Sequence, residues 1–134
     1  DALICAAPNH WHAAATLAGL AAGKHVYCEK PASHTADEGE RMIEAAKKSD
    51  RVLQIGLQRR SNPHYRAIID KVREGAIGRV VQTIGMGPHR TNLKTRPAWF
   101  FERQRYGGIL CDIGSHQADQ FLFFTGSTSA DVVV

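Results

Sequence analysis

The sequence is poor in the features that mark several whole classes of protein. Three cysteines, Cys5, Cys28 and Cys111, are spread through 134 residues with no C-x-x-C spacing. That argues against a disulfide framework and against a zinc site, and each lies in or beside an apolar run, so buried free thiols are expected. No apolar run is long enough to cross a bilayer, which excludes a membrane partner of that kind. There is no internal repeat or low-complexity tract. The net charge of +4 is thinly spread, densest between Arg90 and Arg105. No recognition helix or finger accompanies that patch, so a small anionic substrate or a solvated loop is expected there and no nucleic acid. No methionine opens the chain: Asp1 to Ala7 already reads as a strand, and Val132 to Val134 reads as another one cut short. An excerpt of a longer protein, with bare sheet edges, is the expectation.

What is present alternates. Leu3–Ala7 is a continuous apolar run, the pattern of a strand buried on both faces. Pro8 and Asn9 break it, and an alanine-rich helix follows from His10 to Ala22, with Gly23 as its C-terminal stop. His25–Glu29 is a second strand. Thr35 and Glu38 form a capping box that opens a helix to about Ser49, with Met42, Ile43 and Ala46 inward. Val52–Leu57 is a third strand. Strand, helix, strand, helix, strand at this spacing predicts a parallel sheet, the second half of a doubly wound α/β domain. The boundary is placed near Gln58–Ser61, giving domains 1–60 and 61–134. Beyond it, Asn62 caps a helix with Pro63 at its first position, ending at Glu74 and Gly75. Arg79–Met86 alternates as a strand with one covered face should. Pro88–Gly107 is a long polar and aromatic loop, and Gly108–Thr125 is a helix closed by Gly126.

Three motifs sit where such a domain binds ligands. Glu29-Lys30-Pro31 ends the second strand, where open α/β sheets place their crevice, and Pro31 is the one kind of residue before which a cis peptide is cheap. Alone, it reads better as a surface Glu-Lys pair ahead of a helix; the motifs on either side of it shift the reading toward a site. Asn9-His10-Trp11-His12 follows the first strand at a helix N-terminus, suited to phosphate or carboxamide groups. His10 and His12, two apart, do not share a helix face, so no metal is assigned. Asp112 and His116 are four apart and share a face, where a carboxylate can orient an imidazole for general-base work; an ordinary surface ion pair fits that spacing too.

These motifs, with Gly23-Lys24-His25-Val26, Gln54 to Arg60, Gly75-Ala76-Ile77-Gly78 and Gly107 to His116, occur in an order that resembles the Gfo/Idh/MocA family of NAD(P)-dependent oxidoreductases, along essentially the whole chain. The resemblance implies a Rossmann domain followed by an α+β domain with a large open-faced sheet. By position it implies Lys30, Asp112 and His116 as catalytic residues, and Pro8, Asn9, His12, Glu29, Lys30 and Gln58 beside the cofactor, NAD or NADP. Arg59 falls at a substrate-side position, and Trp99 is a candidate to stack on a sugar face, with packing an equal alternative. The glycine-rich phosphate loop and the acidic reader of the ribose hydroxyl are not in this sequence. Tyr106 stands where many relatives have glycine.

The implied activity is hydride transfer between nicotinamide and a hydroxyl carbon of a sugar or polyol, in a homo-oligomer (dimer or tetramer), cytoplasmic unless an upstream twin-arginine signal exports it. A redox glycosidase of the same family and a non-catalytic sensor are the alternatives.

Overall fold

The computed structural model describes residues 1–87 and 89–131. The valine run at 132–134 and the first residue of the expected 88–107 loop lie outside them. The chain divides into two compact units, Asp1–Gly56 with Arg90–Ser115, and Leu57–His89 with the segment from His116 onward.

The first unit is built on three parallel strands in the order β1 (Ala2–Cys5), β2 (His25–Glu29), β3 (Leu53–Gly56). Helices α1 (His12–Ala21) and α2 (Ala36–Lys48) make the two crossovers. Register explains the core. Leu3 pairs with Val26 and Val26 with Leu53; Cys5 pairs with Cys28 and Cys28 with Ile55. With a side-chain period of two, these six fall on one face of the sheet. They pack with Leu20, Ala15, Ala45 and Ala46 from the two helices. Gly19 lets α1 come close: a Cβ there would lie 2.9 Å from both Leu3 and Val26 side chains. The opposite face is bare, with Ile4 76% exposed. The expectation of a strand buried on both faces therefore fails for β1, because both crossover helices lie against the same face.

Local chemistry sets the ends of the helices. Thr35 Oγ1 accepts from the Glu38 amide while Glu38 accepts from the Thr35 amide, the expected capping box. The expected helix from His10 begins instead with a 3₁₀ turn, Asn9–Trp11, before α1. Between Arg90 and Gly107 the chain is not one loop but two 3₁₀ turns, Leu93–Thr95 and Ala98–Phe101, and a single helical turn, α4 (Arg103–Tyr106). Phe100 is buried against Tyr106, ring centroids 4.0 Å apart, with the Arg96 guanidinium 4.4 Å from the Phe100 ring.

In the second unit Asn62 caps α3 (Pro63–Arg73), accepting from the His64 amide, as its Asn-Pro spelling predicts. Helix α5 (Ser115–Thr125) runs on from a π-helical turn, Leu110–Gly114, so the expected single helix from Gly108 changes pitch where Asp112 sits. Arg60 donates from Nε to Asp119 Oδ1 at 2.8 Å, and Arg60 and Arg73 both stack on the Phe123 ring. The alternating segment 79–86 forms no strand; no strand follows β3 among the described residues. A lone extended segment has no ladder to satisfy its amides, and Val81, Ile84 and Met86 stay exposed.

Candidate active site

The carboxyl ends of β1 and β2 gather most of the candidate residues into the first unit. Glu29 is the last residue of β2, and the Lys30–Pro31 peptide that follows is cis. The turn lays the lysine toward the π-helical turn, where Lys30 Nζ donates to Asp112 Oδ1 at 2.6 Å. The two side chains are 21% and 8% exposed, so water screens the pair poorly. This lysine, 82 residues from Asp112 in the chain, is a partner that helix spacing does not offer. Ser115 Oγ donates to the Asp112 carbonyl, and Cys111 Sγ donates to Ser33 O at 3.5 Å, tying this turn to the segment after Pro31.

Asn9 is buried and its Nδ2 donates to the Tyr106 carbonyl at 3.1 Å, so the loop after β1 is held to α4. Tyr106 matters more than its place as a departure from a glycine suggests. Its phenol is pushed above the ordinary range, first by burial and then by the Asp112 carboxylate close by. Glu29 accepts from the Lys30 amide at 3.3 Å and from the Tyr27 hydroxyl at 3.1 Å. Gly56 lies opposite Glu29 in the register, where a Cβ would lie 2.8 Å from Glu29 Oε1 and 2.6 Å from Tyr27 Oη and would push these side-chain ends aside. A carboxylate acceptor beside an amide-bearing loop at the strand ends fits the ribose and nicotinamide end of a dinucleotide.

Other expected residues stand differently. His12 is 1% exposed, beneath the loop, with both ring nitrogens against backbone carbonyls. Trp99 is partly buried between His10 and Phe100, centroids 6.5 Å and 6.0 Å away. Pro8 precedes the 3₁₀ turn and accepts from the Trp11 amide. Gln58 and Arg59 lie in a 3₁₀ turn of the second unit, Arg59 exposed and 6.0 Å from the Tyr65 ring centre. His116 is buried near the start of α5, in the second unit.

Spatial grouping also yields what spacing could not: one ligand atom each from Cys5, His12 and Cys28 lie within 4.8 Å of one another, all buried. Burial pushes the Cys28 thiol up, opposed by the neighbouring Thr16 hydroxyl and Cys5 thiol. Both His12 ring nitrogens are already engaged with the Pro31 and Ala7 carbonyl oxygens, so no metal is assigned to this cluster.

Two family models match consecutive parts of the chain. Residues 1–57 match the NAD-binding Rossmann fold of an oxidoreductase family, and residues 65–134 match the Gfo/Idh/MocA C-terminal domain. The chain belongs to the Gfo/Idh/MocA family. It is 34% identical to 1,5-anhydro-D-fructose reductase of Ensifer adhaerens, across 99% of this chain and 40% of that protein. It is 33% identical to levoglucosan dehydrogenase of Pseudarthrobacter phenanthrenivorans, across 93% of this chain and 33% of that one. Among solved structures, an oxidoreductase from Erwinia carotovora atroseptica superimposes with a TM-score of 0.91 at 40% identity, over 99% of this chain and 40% of the other. A levoglucosan dehydrogenase in complex with NADH and levoglucosan gives 0.75 at 31%, over 92% and 34%. The chain thus spans 40% or less of the length of these relatives. No helix among the described residues is long and apolar enough to cross a membrane.

Proposed function

We propose that this family member acts as an NAD(P)-dependent oxidoreductase on a hydroxyl-bearing carbon of a sugar, polyol or close derivative. The observation that carries the reading is the poorly screened Lys30–Asp112 pair at the end of β2, 2.6 Å long, next to the Asn9 loop. A lysine held this way presents its remaining N–H bonds in a fixed direction, and an ammonium donor polarises a substrate oxygen. When bound, the nicotinamide supplies the hydride chemistry. Asp112 holds Lys30 in place and offsets its charge. His116, four residues beyond Asp112 in the family motif, takes the hydroxyl proton as general base. Glu29 accepts from ribose hydroxyls, and Pro8, Asn9 and Gln58 bound the cofactor. His12 is carried as a support of that loop. Arg59 and Trp99 are assigned to the substrate side, and the substrate is a small carbohydrate-like molecule.

The test uses the full-length protein with NAD and NADP against a panel of polyols, aldoses and glycosides, following reduced nicotinamide and products together. Cofactor reduction that is lost in Lys30→Ala and in His116→Ala supports the reading. Glycoside cleavage with no net reduction would replace it with a redox glycosidase, and cofactor binding without either activity would replace it with a sensor.

A further inference from the structure

His12 makes an arrangement that a neutral imidazole cannot complete. Its Nδ1 lies 2.6 Å from the Pro31 carbonyl oxygen and its Nε2 2.8 Å from the Ala7 carbonyl oxygen. Carbonyl oxygens only accept, and a neutral ring carries one N–H, so one contact would set two lone pairs face to face. A ring protonated on both nitrogens donates to both. The connected carbonyls are well placed in the chain: Ala7 leads directly into Pro8 and Asn9, and Pro31 directly follows Lys30.

We propose that His12 is a positioning residue of this site, a doubly donating imidazolium clip that fixes the turn carrying Lys30 to the loop carrying Asn9. The ring is buried at the first position of α1, so loss of hydration and the N-terminal dipole both disfavour a cation, and the two short carbonyl contacts are what oppose them. The titratable neighbours facing it are the Cys5 and Cys28 thiols from β1 and β2; none of the ion pairs among the described residues includes it. His12 touches no reacting atom. Its effect is on where the Lys30 ammonium points, and a displacement of about 1 Å at a reacting group lowers turnover by roughly 100-fold.

The catalytic consequence rests on the proposed hydride transfer; the proton count does not. The first measurement is the ¹⁵N spectrum of the ring in the full-length wild-type protein at neutral pH, assigned by its loss in His12→Gln. Two protonated nitrogens are expected, and a single one overturns the clip. The second measurement is kinetic. His12→Gln keeps one donor and His12→Ala none, so kcat is expected to fall stepwise, to below about a tenth in His12→Ala, while cofactor affinity, which the Asn9 loop also serves, falls by a smaller factor. Equal losses in kcat and cofactor affinity, or an unchanged kcat in His12→Ala, overturn it. Should His12→Ala not fold, the wild-type spectrum and His12→Gln still decide. A wild-type protein that reduces no cofactor with any sugar counts against the functional reading, and the ring's proton count then judges the clip alone.

Discussion

Lys30 and Asp112 meet at 2.6 Å although 82 residues separate them, and the Asp112 side chain is only 8% exposed. This contact joins the turn after β2 to the π-helical turn before α5. Removing Lys30 takes the cation from a carboxylate that water reaches poorly, which costs more than an exposed ion pair contributes. Lys30→Ala is therefore expected to lower stability by about 2 kcal/mol, discounted from the fully buried case because Lys30 is partly exposed. Asp112→Asn, which keeps a hydrogen-bond acceptor, is expected to lose less. Chemical denaturation checks both, and a loss below about 0.5 kcal/mol for Lys30→Ala would assign the pair to the exposed class.

Gly107 and Gly108 separate two contributions that usually come together. Both adopt positive φ, +81° and +91°. At Gly107 a Cβ would stand 2.7 Å from His34 Nε2 and 3.0 Å from Cys111 Sγ, whereas at Gly108 nothing lies within 4 Å. Gly108→Ala is expected to cost about 1 kcal/mol from backbone conformation alone. Gly107→Ala adds the crowding and is expected to cost about 2 kcal/mol more than its neighbour. Equal melting shifts for the two variants would show that His34 moves aside freely.

Arg60 joins the start of the second unit to α5. Its guanidinium donates to Asp119 and lies 4.7 Å from the centre of the Phe123 ring. A planar fork can do both at once and an ammonium cannot, so Arg60→Lys is not expected to rescue Arg60→Ala. A double-mutant cycle with Asp119→Ala is expected to give a coupling of about 1 kcal/mol. A coupling indistinguishable from zero would make the contact incidental.

These contacts show which parts of the molecule could be read from the chain. Elements whose ends are chemically marked fell where expected. His25–Glu29 is bounded by Gly23 and Pro31, α2 by the Thr35–Glu38 box, and α3 by Asn62 and Pro63. The segment 79–86 carried an equally good alternation and formed no strand, because periodicity reports which face a residue prefers and says nothing about whether a partner strand is present. The site was legible as a set of residue types at the strand ends, but its pairing was not. Spacing along a helix can suggest His116 for Asp112, but Lys30 reaches Asp112 through the tertiary fold, which no spacing announces. The carbonyl partners of His12 belong to the same class: backbone acceptors leave no trace in a sequence.

Thiol chemistry gives a last test that needs no activity. The Cys111 thiol is pushed above its ordinary range, first by burial and next by the carboxylates of Asp112 and Glu38, with Lys30 pulling the other way. A folded pKa above the unfolded one means the native state holds its proton more tightly. The corresponding stability is fully present below the unfolded thiol value, near about 8.5, and is lost as pH rises through the folded value. Native Cys111 is therefore expected to react with iodoacetamide more slowly than an unfolded thiol at pH 8, with its rate still rising at pH values where the unfolded thiol has levelled off. Lys30→Ala removes the opposing cation and is expected to push that midpoint higher. A midpoint that moves lower in Lys30→Ala, or that matches the unfolded thiol in the wild type, would mean that Cys111 is solvated and that the turn bearing Asp112 is more open than the Lys30 contact implies.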